Sequence, residues 1–213
     1  MSRIRNKVIT RGAILAAART VLASDGPDAL SLSKVAHLAG INRGTAYQHF
    51  ETREDLVKAT VESVGELLST TVFGSLEVDR EEYLKGIKQR PIYDVIAGLV
   101  DFAVENPALG RIWLFEVLSS DNPADDLFFR QFKQTTEELA ESTDSQEGID
   151  AEALSVMMLA GYFLWPVWVN AHATNKTERE VMAGRMSREI LRLFMHGVLR
   201  AEKFPQLESL LND

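Results

Sequence analysis

The amino-acid sequence predicts an all-α protein with a small three-helix head, a long connecting helix and a larger helical body. Apolar residues recur at helical spacing along almost all of the 213 residues, and no segment shows the alternation of a half-buried strand. Polar, Pro and Gly residues interrupt this pattern as they do between helices. We therefore predict two domains, residues 1–56 and residues 57–213.

The first helix of the head is predicted from about residue 6 to residue 24. Its apolar stripe consists of Ile14, Leu15, Ala18, Val21 and Leu22. The sequence Asp-Gly-Pro-Asp at residues 25–28 ends this helix, because Gly favours a C-terminal cap and Pro cannot continue a helix.

Three cap residues and one glycine delimit the next helices. Ser31, Asn42 and Thr52 are predicted N-caps of the second, third and fourth helices, since their side-chain oxygens accept from free N–H groups of a first turn. Gly40 supplies a left-handed turn between the second and third helices. The packing face of the second helix is predicted to be Val35, Ala36, Leu38 and Ala39. The fourth helix keeps its apolar spacing to about residue 73, so it should bridge head and body.

Five further helices are predicted in the body. They lie near residues 92–105, 107–119, 124–142, 151–173 and 178–202, with polar or Pro/Gly breaks between them. Residues 75–91 are crowded with charge and end in Pro91, which predicts a mobile connection or a short exposed helix.

Charge is distributed unevenly along the chain. The formal net charge is −8, yet residues 1–53 carry eight Lys and Arg against three acids, a net charge of +5, and the remainder carries −13. A basic head on an acidic body is expected when only the head meets phosphates. The absence of cysteine excludes disulfides and thiolate metal sites, and it is compatible with a cytoplasmic protein.

The third helix has the residue types of a helix that reads the major groove of DNA. Arg43 suits a bidentate contact to guanine and Gln48 a pair with adenine, while Thr45 suits a thymine methyl or a phosphate. Gly44 permits close approach of the backbone, and Tyr47 and His49 present polar tips to phosphates. The predicted phosphate contacts outside this helix are Ser31, Ser33, Lys34, Thr52 and Arg53, with Arg3, Arg5 and Lys7 as a flexible arm.

A bare helical hairpin without a role in DNA binding gives a similar pattern, so a longer motif is needed to distinguish the two. Residues 35–56 read Val-Ala-x-x-Ala-Gly-Ile-Asn-x-Gly-Thr-x-Tyr-x-His-Phe-x-x-Arg-x-x-Leu, and this resembles the signature of TetR-type, tetracycline-repressor-like transcriptional regulators. The resemblance covers roughly residues 9–60. Ala46 stands where that family more often has a larger apolar residue, and Arg53 where it usually has Lys.

The resemblance implies a homodimer whose two heads bind a near-palindromic operator, with a small molecule in the body that moves the heads apart and releases DNA. It names neither the operator nor the effector. The alternative is a helical protein–protein interaction module without specific DNA binding. An enzyme is disfavoured, because no nucleophile motif, phosphate loop or metal-ligand spacing is present, and no cofactor or catalytic residue is predicted.

The last two helices are the predicted dimer interface, with completion of a monomeric core as the alternative. The predicted interface residues are Leu154, Met158, Met182, Met186, Ile190, Leu193 and Phe194. Aromatic residues of the body predict an apolar effector site, although such residues are usually core. The effector candidates are Trp165, Trp168, Tyr162, Trp113, Phe102 and Phe132, of which the first three rank highest because Pro166 should disrupt the helix beside them.

Two segments imitate membrane signals. The apolar N-terminal run is interrupted by Arg19 and has no convincing cleavage site, so it does not read as a signal peptide. Residues 153–169 are apolar but short for a span, and a buried helix gives the same signal. We therefore predict a cytoplasmic protein without a membrane partner.

Overall fold

The computed structural model describes residues 2–73 and 92–205, with side chains from residue 6 onward, Ala201 apart. Nine α-helices follow one another in these residues: α1 Ser2–Asp25, α2 Leu32–Leu38, α3 Arg43–His49, α4 Arg53–Phe73, α5 Ile92–Glu105, α6 Pro107–Ser119, α7 Leu127–Ala140, α8 Ala151–His172 and α9 Lys176–Leu193. The described residues contain no strand, which confirms the all-α class. The connection predicted at residues 75–91 lies outside the described residues.

Several helix ends differ from the predicted ones because local caps decide them. α7 begins at Leu127 because the Asp126 side chain accepts from the Phe129 N–H at 2.7 Å. Asn175 caps α9 in the same way by accepting from the Glu178 N–H at 3.0 Å. α9 ends at Leu193 rather than near residue 202, and a wider π-helical turn, Phe194–Val198, follows it.

The chain divides into two compact units that do not follow the predicted boundary at residue 56. The first unit comprises Met1–Leu68 and Ala108–Pro123, and the second comprises Ser69–Pro107 and Ala124–Asp213. Most of α4 belongs to the first unit, where Arg19 of α1 donates to the Ser63 hydroxyl at 3.2 Å. Most of α6 belongs to it as well, where Arg111 donates to the Ala23 carbonyl of α1 at 2.9 Å.

The first unit has its core beneath the predicted stripe of α1. All five predicted stripe residues are buried, with Ile14 and Ala18 fully so. Val35 of α2, Ala46 of α3 and Leu56 of α4 are also fully buried. Burial of apolar surface from all four helices holds this unit together, because each buried CH₂ group contributes about 0.8 kcal/mol.

The second unit is built around contacts of α9 with α5, and of α8 with α5, α7 and α9. Its core includes Ile96, Val100, Tyr162, Ile190 and Leu191. α8 runs without a break through Pro166, contrary to the disruption that we predicted at this proline. The proline is buried within a helix whose remaining turns pack on their neighbours.

α8 is, among the described residues, the one helix long and apolar enough to cross a membrane, and 39% of its most apolar window is buried. A single helix of this kind is weak support for a membrane span, since core helices have the same composition. Apart from Glu152, Asn170 and His172 near its ends, the exposed residues of α8 are apolar. They are Ala153, Val156, Met157, Leu164, Val167, Trp168 and Ala171, with the partly buried Ala160 between them. We call this set the α8 stripe.

Candidate nucleic-acid interface

The turn between α2 and α3 is held by local hydrogen bonds. Gly40 adopts φ 67°, a left-handed conformation in which a Cβ would be strained. Its N–H donates to the His37 carbonyl at 3.2 Å, and the Ile41 N–H donates to the Ala36 carbonyl at 3.0 Å. These bonds satisfy the last carbonyls of α2 and confirm the predicted glycine turn.

The predicted N-caps are all present. Ser31 accepts from the Lys34 N–H at 3.2 Å, and Asn42 accepts from the Thr45 N–H at 2.7 Å. Thr52 accepts from the Asp55 N–H at 3.0 Å, while the Asp55 carboxylate accepts from the Thr52 N–H at 3.0 Å. Each cap is worth about 1 kcal/mol, so three short helix starts gain stability from residues within their own sequence.

α3 is anchored on one side by Ala46 and Phe50, which are 0% and 4% exposed. A Cβ at Gly44 would lie 3.3 Å from the Asn42 Oδ1 atom, so this glycine also leaves room for the cap. The Thr45 hydroxyl donates to the same Asn42 oxygen at 3.0 Å. Thr45 therefore offers its methyl group, rather than a free hydroxyl proton, to another molecule.

The opposite side of α3 presents Arg43, Tyr47 and Gln48, all exposed. The Arg43 guanidinium donates to the Tyr47 hydroxyl at 3.2 Å and lies 5.3 Å from the centre of its ring. This stacking restricts the Arg43 side chain at an exposed place on the helix. Such a row of donors and acceptors on one face matches direct readout of base edges.

Ser31, Ser33 and Lys34 are exposed at the start of α2. The Lys34 ammonium contacts the Asp25 carboxylate at 2.7 Å, and this hydrogen bond lowers the Asp25 pKa. Surface ion pairs of this kind contribute little to stability. Lys34 can therefore exchange its carboxylate partner for a phosphate at small cost.

Arg53 has intramolecular partners that its sequence position did not reveal. Its guanidinium donates to the Leu30 carbonyl at 3.1 Å and to the Pro27 carbonyl at 2.5 Å. It also lies 3.4 Å from the Glu54 carboxylate. The predicted phosphate contact stays a prediction, while the structure gives Arg53 a second role as a clamp on residues 27–30.

His49 is partly buried at the end of α3. Burial, followed by the positive charges of Lys7 and Arg11, lowers the His49 pKa. At neutral pH the imidazole is therefore uncharged and offers a phosphate one N–H donor. Arg11 itself, which we did not predict at this surface, stacks 5.2 Å from the centre of the Phe50 ring.

Two expectations for the head are wrong. Leu38 is 52% exposed and does not belong to the packing face of α2, because Leu32, Val35 and Ala36 occupy the buried side. The predicted flexible arm is also absent, since α1 begins at Ser2 and its residues are helical. Lys7 is exposed on this helix.

The predicted dimer residues lie mainly inside the second unit. Met158, Met182, Ile190 and Phe194 are at most 9% exposed and pack in its core. Leu154 and Met186 are partly buried against that core, and Leu193 is 57% exposed. Four of the seven are thus unavailable to a partner in this conformation, whereas the α8 stripe is largely exposed. Sequence analysis named only Trp168 of this stripe, and named it as an effector residue. No signal in the sequence separates the two, because α8 is apolar on every side.

The predicted effector residues do not form one group. Trp113 is buried in the first unit and Trp168 is 54% exposed on the α8 stripe. Phe102 and Trp165 are partly buried, and the Trp165 indole donates to the Met182 carbonyl at 3.2 Å. Phe132 and Tyr162 lie in ring contact, with their centres 6.4 Å apart.

In the described part of the chain, no group of three or more His, Cys, Asp or Glu side chains is placed to hold a metal ion. Tyr162 is buried in an apolar environment, which raises the pKa of its hydroxyl. This phenol is therefore neutral over the physiological range.

Comparison with known proteins agrees with the geometry. Residues 14–60 match the model of the family described as "Bacterial regulatory proteins, tetR family". No curated protein matches the chain.

Solved structures extend the likeness to the whole chain. The crystal structure of a gamma-butyrolactone receptor (ArpA like protein) is 18% identical with a TM-score of 0.63, over 97% of this chain and 96% of that one. CprB of the TetR family from S. coelicolor A3(2) is 18% identical with a TM-score of 0.62, over 95% and 96%. NalD, the secondary repressor of the MexAB-OprM multidrug efflux pump in Pseudomonas aeruginosa, is 20% identical with a TM-score of 0.57, over 92% and 98%.

These likenesses confirm the resemblance that the motif predicted. Regulators of the TetR family are DNA-binding transcription factors rather than enzymes. Residues 14–60 of this chain thus match the TetR-family model, and the chain has the fold of solved TetR-family regulators.

Proposed function

We propose that this chain is a homodimeric, cytoplasmic transcriptional repressor that binds a near-palindromic double-stranded DNA operator through α3. A small apolar or aromatic effector binds in the second unit and releases the operator. The observation that carries this proposal is the exposed row of Arg43, Tyr47 and Gln48 on a helix whose other side is buried. Arg contacts guanine and Gln contacts adenine with bidentate geometry.

Basic residues around this row supply the phosphate contacts. Lys7, Arg11 and Lys34 are exposed in the first unit, and the N-termini of α2 and α4 offer free N–H groups. Contacts of this kind fix the position of the helix in the groove and carry no sequence information. We therefore expect operator affinity to fall steeply as the salt concentration rises.

The α8 stripe supports a second copy of the chain as the protein partner. Met157 is 68% exposed and Trp168 is 54% exposed, and the stripe extends over nearly the whole helix. A two-fold axis that pairs this helix with its own copy would bury the stripe on both protomers at once. Two heads related in this way bind half-sites about one helical turn, or a multiple of it, apart.

Similar proteins support a small effector. One similar structure is a gamma-butyrolactone receptor, and another is a regulator from Saccharomonospora viridis in complex with choline. In this chain the ring contacts of Phe128, Phe132, Tyr162 and Phe163 lie within the second unit. Apolar surroundings with a few polar groups are typical of small-molecule sites.

Selection of bound fragments from a random DNA pool, followed by salt titration of the enriched fragment, tests the proposal. The expected result is an enriched inverted repeat whose binding weakens by orders of magnitude between low and moderate salt. A double variant, Arg43→Ala with Gln48→Ala, is the matched control and should lose the enrichment while keeping weak, salt-dependent binding. A folded parent that enriches no sequence at any salt would favour the protein–protein interaction module instead.

A further inference from the structure

Two polar side-chain atoms in the second unit are buried without a hydrogen-bond partner among the described residues. They are the Ser69 Oγ atom on α4 and the Gln131 Oε1 atom on α7. Ser69 is 6% exposed. Leaving a buried polar group unpaired costs about 1–3 kcal/mol, so such groups are few in native proteins and call for an explanation.

Ser69 differs from the comparable buried hydroxyls of the described helices. Thr60, Thr136, Ser155 and Ser187 each donate to the carbonyl four residues earlier in their own helix, at 2.6–3.0 Å. The same bond is available to any helical Ser or Thr. The Ser69 hydroxyl does not make it, so its donor and acceptor capacity is left for another group.

Both unpaired atoms belong to helices that contribute rings to one aromatic cluster, formed by Phe73, Phe128, Phe132, Tyr162 and Phe163. Ser69 precedes Phe73 by one helical turn on α4, and Gln131 follows Phe128 by three residues on α7. The rings of Phe73 and Phe128 have centres 5.7 Å apart. Residues three or four apart share a helix face, so the contact between Phe73 and Phe128 brings Ser69 and Gln131 to the same part of the second unit.

Three polar groups on the helices that form the cluster are uncharged. Ser69 and Gln131 are neutral, and burial keeps the Tyr162 phenol neutral by raising its pKa. The buried polar residues of the described chain are all Ser or Thr. An ionised ligand would gain no counter-charge from these three groups and would lose its hydration, at high cost.

We infer that Ser69 and Gln131 orient the effector, and that this effector is a neutral, largely apolar molecule with a hydroxyl group or an equivalent donor and acceptor. The ligand donates to Gln131 Oε1 and accepts from the Ser69 hydroxyl, while its apolar part replaces contacts within the aromatic cluster. This inference rests on the proposed function, in which an effector binds the second unit.

The inference predicts opposite effects on the free protein and on binding. Removing an unpaired polar group relieves its desolvation cost, so Ser69→Ala and Gln131→Leu should leave the free protein at least as stable as the parent. The same changes remove a hydrogen bond to the ligand. A group with an ordinary structural role would behave in the reverse way.

Calorimetric titration of the full-length protein with three probes tests this prediction. The probes are 4-phenylbutan-1-ol, butylbenzene and 4-phenylbutanoate, which share a ring and differ in the polar group. We expect the alcohol to bind tightest and the carboxylate weakest, and each variant to weaken alcohol binding about fivefold to tenfold. Thr136→Val, which removes a paired hydroxyl from the same helix as Gln131, is the control and should lower the melting temperature without changing alcohol affinity.

Two results would overturn the inference. One is equal binding of the alcohol and butylbenzene to the parent; the other is a loss of stability in Ser69→Ala and Gln131→Leu with unchanged alcohol affinity. Operator binding by the same preparations separates the two proposals. A parent that binds operator but shows either result contradicts the role of the pair alone, whereas a parent that binds no operator contradicts the proposed function.

Discussion

α3 in the first unit and α8 in the second expose opposite kinds of surface. α3 buries Ala46 and Phe50 and exposes Arg43, Tyr47 and Gln48, whose polar atoms water can solvate. α8 buries one apolar side and exposes another, the α8 stripe. The seven-residue α3 thus has its apolar side packed and its polar side in water within the isolated chain. The 22-residue α8, by contrast, leaves a large apolar face in water.

The difference indicates what kind of partner each surface can bind. An exposed polar row costs little in the free protein and is available for an ordered polar partner such as DNA. A contiguous exposed apolar face is unusual on a monomer and marks an interaction surface. The predictions below test that contrast, from the largest expected effect to the smallest.

The largest effect is expected from charge on the α8 stripe. Leu164→Glu combined with Val167→Glu should yield a monomer, because two carboxylates per protomer would have to be buried at the two-fold contact. Operator affinity should fall by roughly 100-fold to 10,000-fold, since the second head no longer binds at high effective concentration. Light scattering gives the mass and a gel-shift titration gives the affinity.

Both side chains are about half exposed, at 47% and 44%, so the isolated chain should keep its fold in this variant. Thr143→Glu adds a negative charge at an exposed loop position and serves as the control. A Leu164→Glu, Val167→Glu protein that remains a dimer with parental affinity would place the partner contact elsewhere.

Arg53 tests whether the start of α4 is stabilised by the clamp on residues 27–30. Arg53→Ala should lower the free energy of unfolding by about 1.5 kcal/mol, because the Leu30 and Pro27 carbonyls lose charged donors at an exposed site. It should also weaken binding to every DNA sequence alike. Urea unfolding measures the first effect and gel-shift titration the second.

Arg53→Lys separates the two roles. A lysine keeps the charge near phosphates but lacks the planar fork that reaches two carbonyls. We expect this variant to share the lower stability of Arg53→Ala while retaining more of the DNA affinity. Parental stability in Arg53→Lys would refute the clamp.

Arg43 tests the readout by α3. Arg43→Ala should relax the preference for one base pair in each half-site, by about 1–3 kcal/mol. Tyr47→Phe is a matched control that keeps the ring beneath the guanidinium and removes the hydroxyl. It should weaken binding uniformly and leave the base preference intact. Competition with operators mutated one position at a time distinguishes these outcomes.

His49 is expected to have the smallest effect, visible as a pH dependence. Its pKa is lowered in the folded state, chiefly by burial, so the unfolded state binds more protons below about pH 6.5. The free energy of unfolding should therefore decrease as the pH falls through that region, and less so in His49→Gln. DNA phosphates favour the charged imidazole, so the operator affinity of the parent should gain more than that of His49→Gln between pH 7 and pH 6.

His172→Gln, on α8 in the second unit, controls for a general effect of the substitution. The same pH dependence of unfolding and of operator affinity in His49→Gln and in the parent would contradict both expectations. His49 would then lie away from the phosphates, and burial would not lower its pKa.

Sequence analysis was most successful where each interaction spans a few residues. Ser31, Asn42 and Thr52 each accept from an N–H three residues later, and Gly40 turns the chain between neighbouring helices. Such contacts form wherever the local sequence allows them. The helix-turn-helix, and with it the resemblance to the family, could therefore be predicted from residues 35–56.

It was least successful where contacts join distant residues. Arg53 donates to carbonyls 23 and 26 residues earlier, and Arg111 donates to one 88 residues earlier. α6, with its Trp113, accordingly belongs to the first unit and not to the predicted body. No periodicity within α6 indicates which unit it joins.

The sequence by itself determined the all-α class, the capped helices of the head and the polar row on α3, because caps, turns and helical spacing are local properties. Only the tertiary structure decided that Met158 and Met182 are core while the α8 stripe is exposed. It also decided that the Ser69 Oγ and Gln131 Oε1 atoms are buried without partners. A helix that is apolar on all sides carries no record of which side it buries. That choice depends on the side chains brought against it by the rest of the fold.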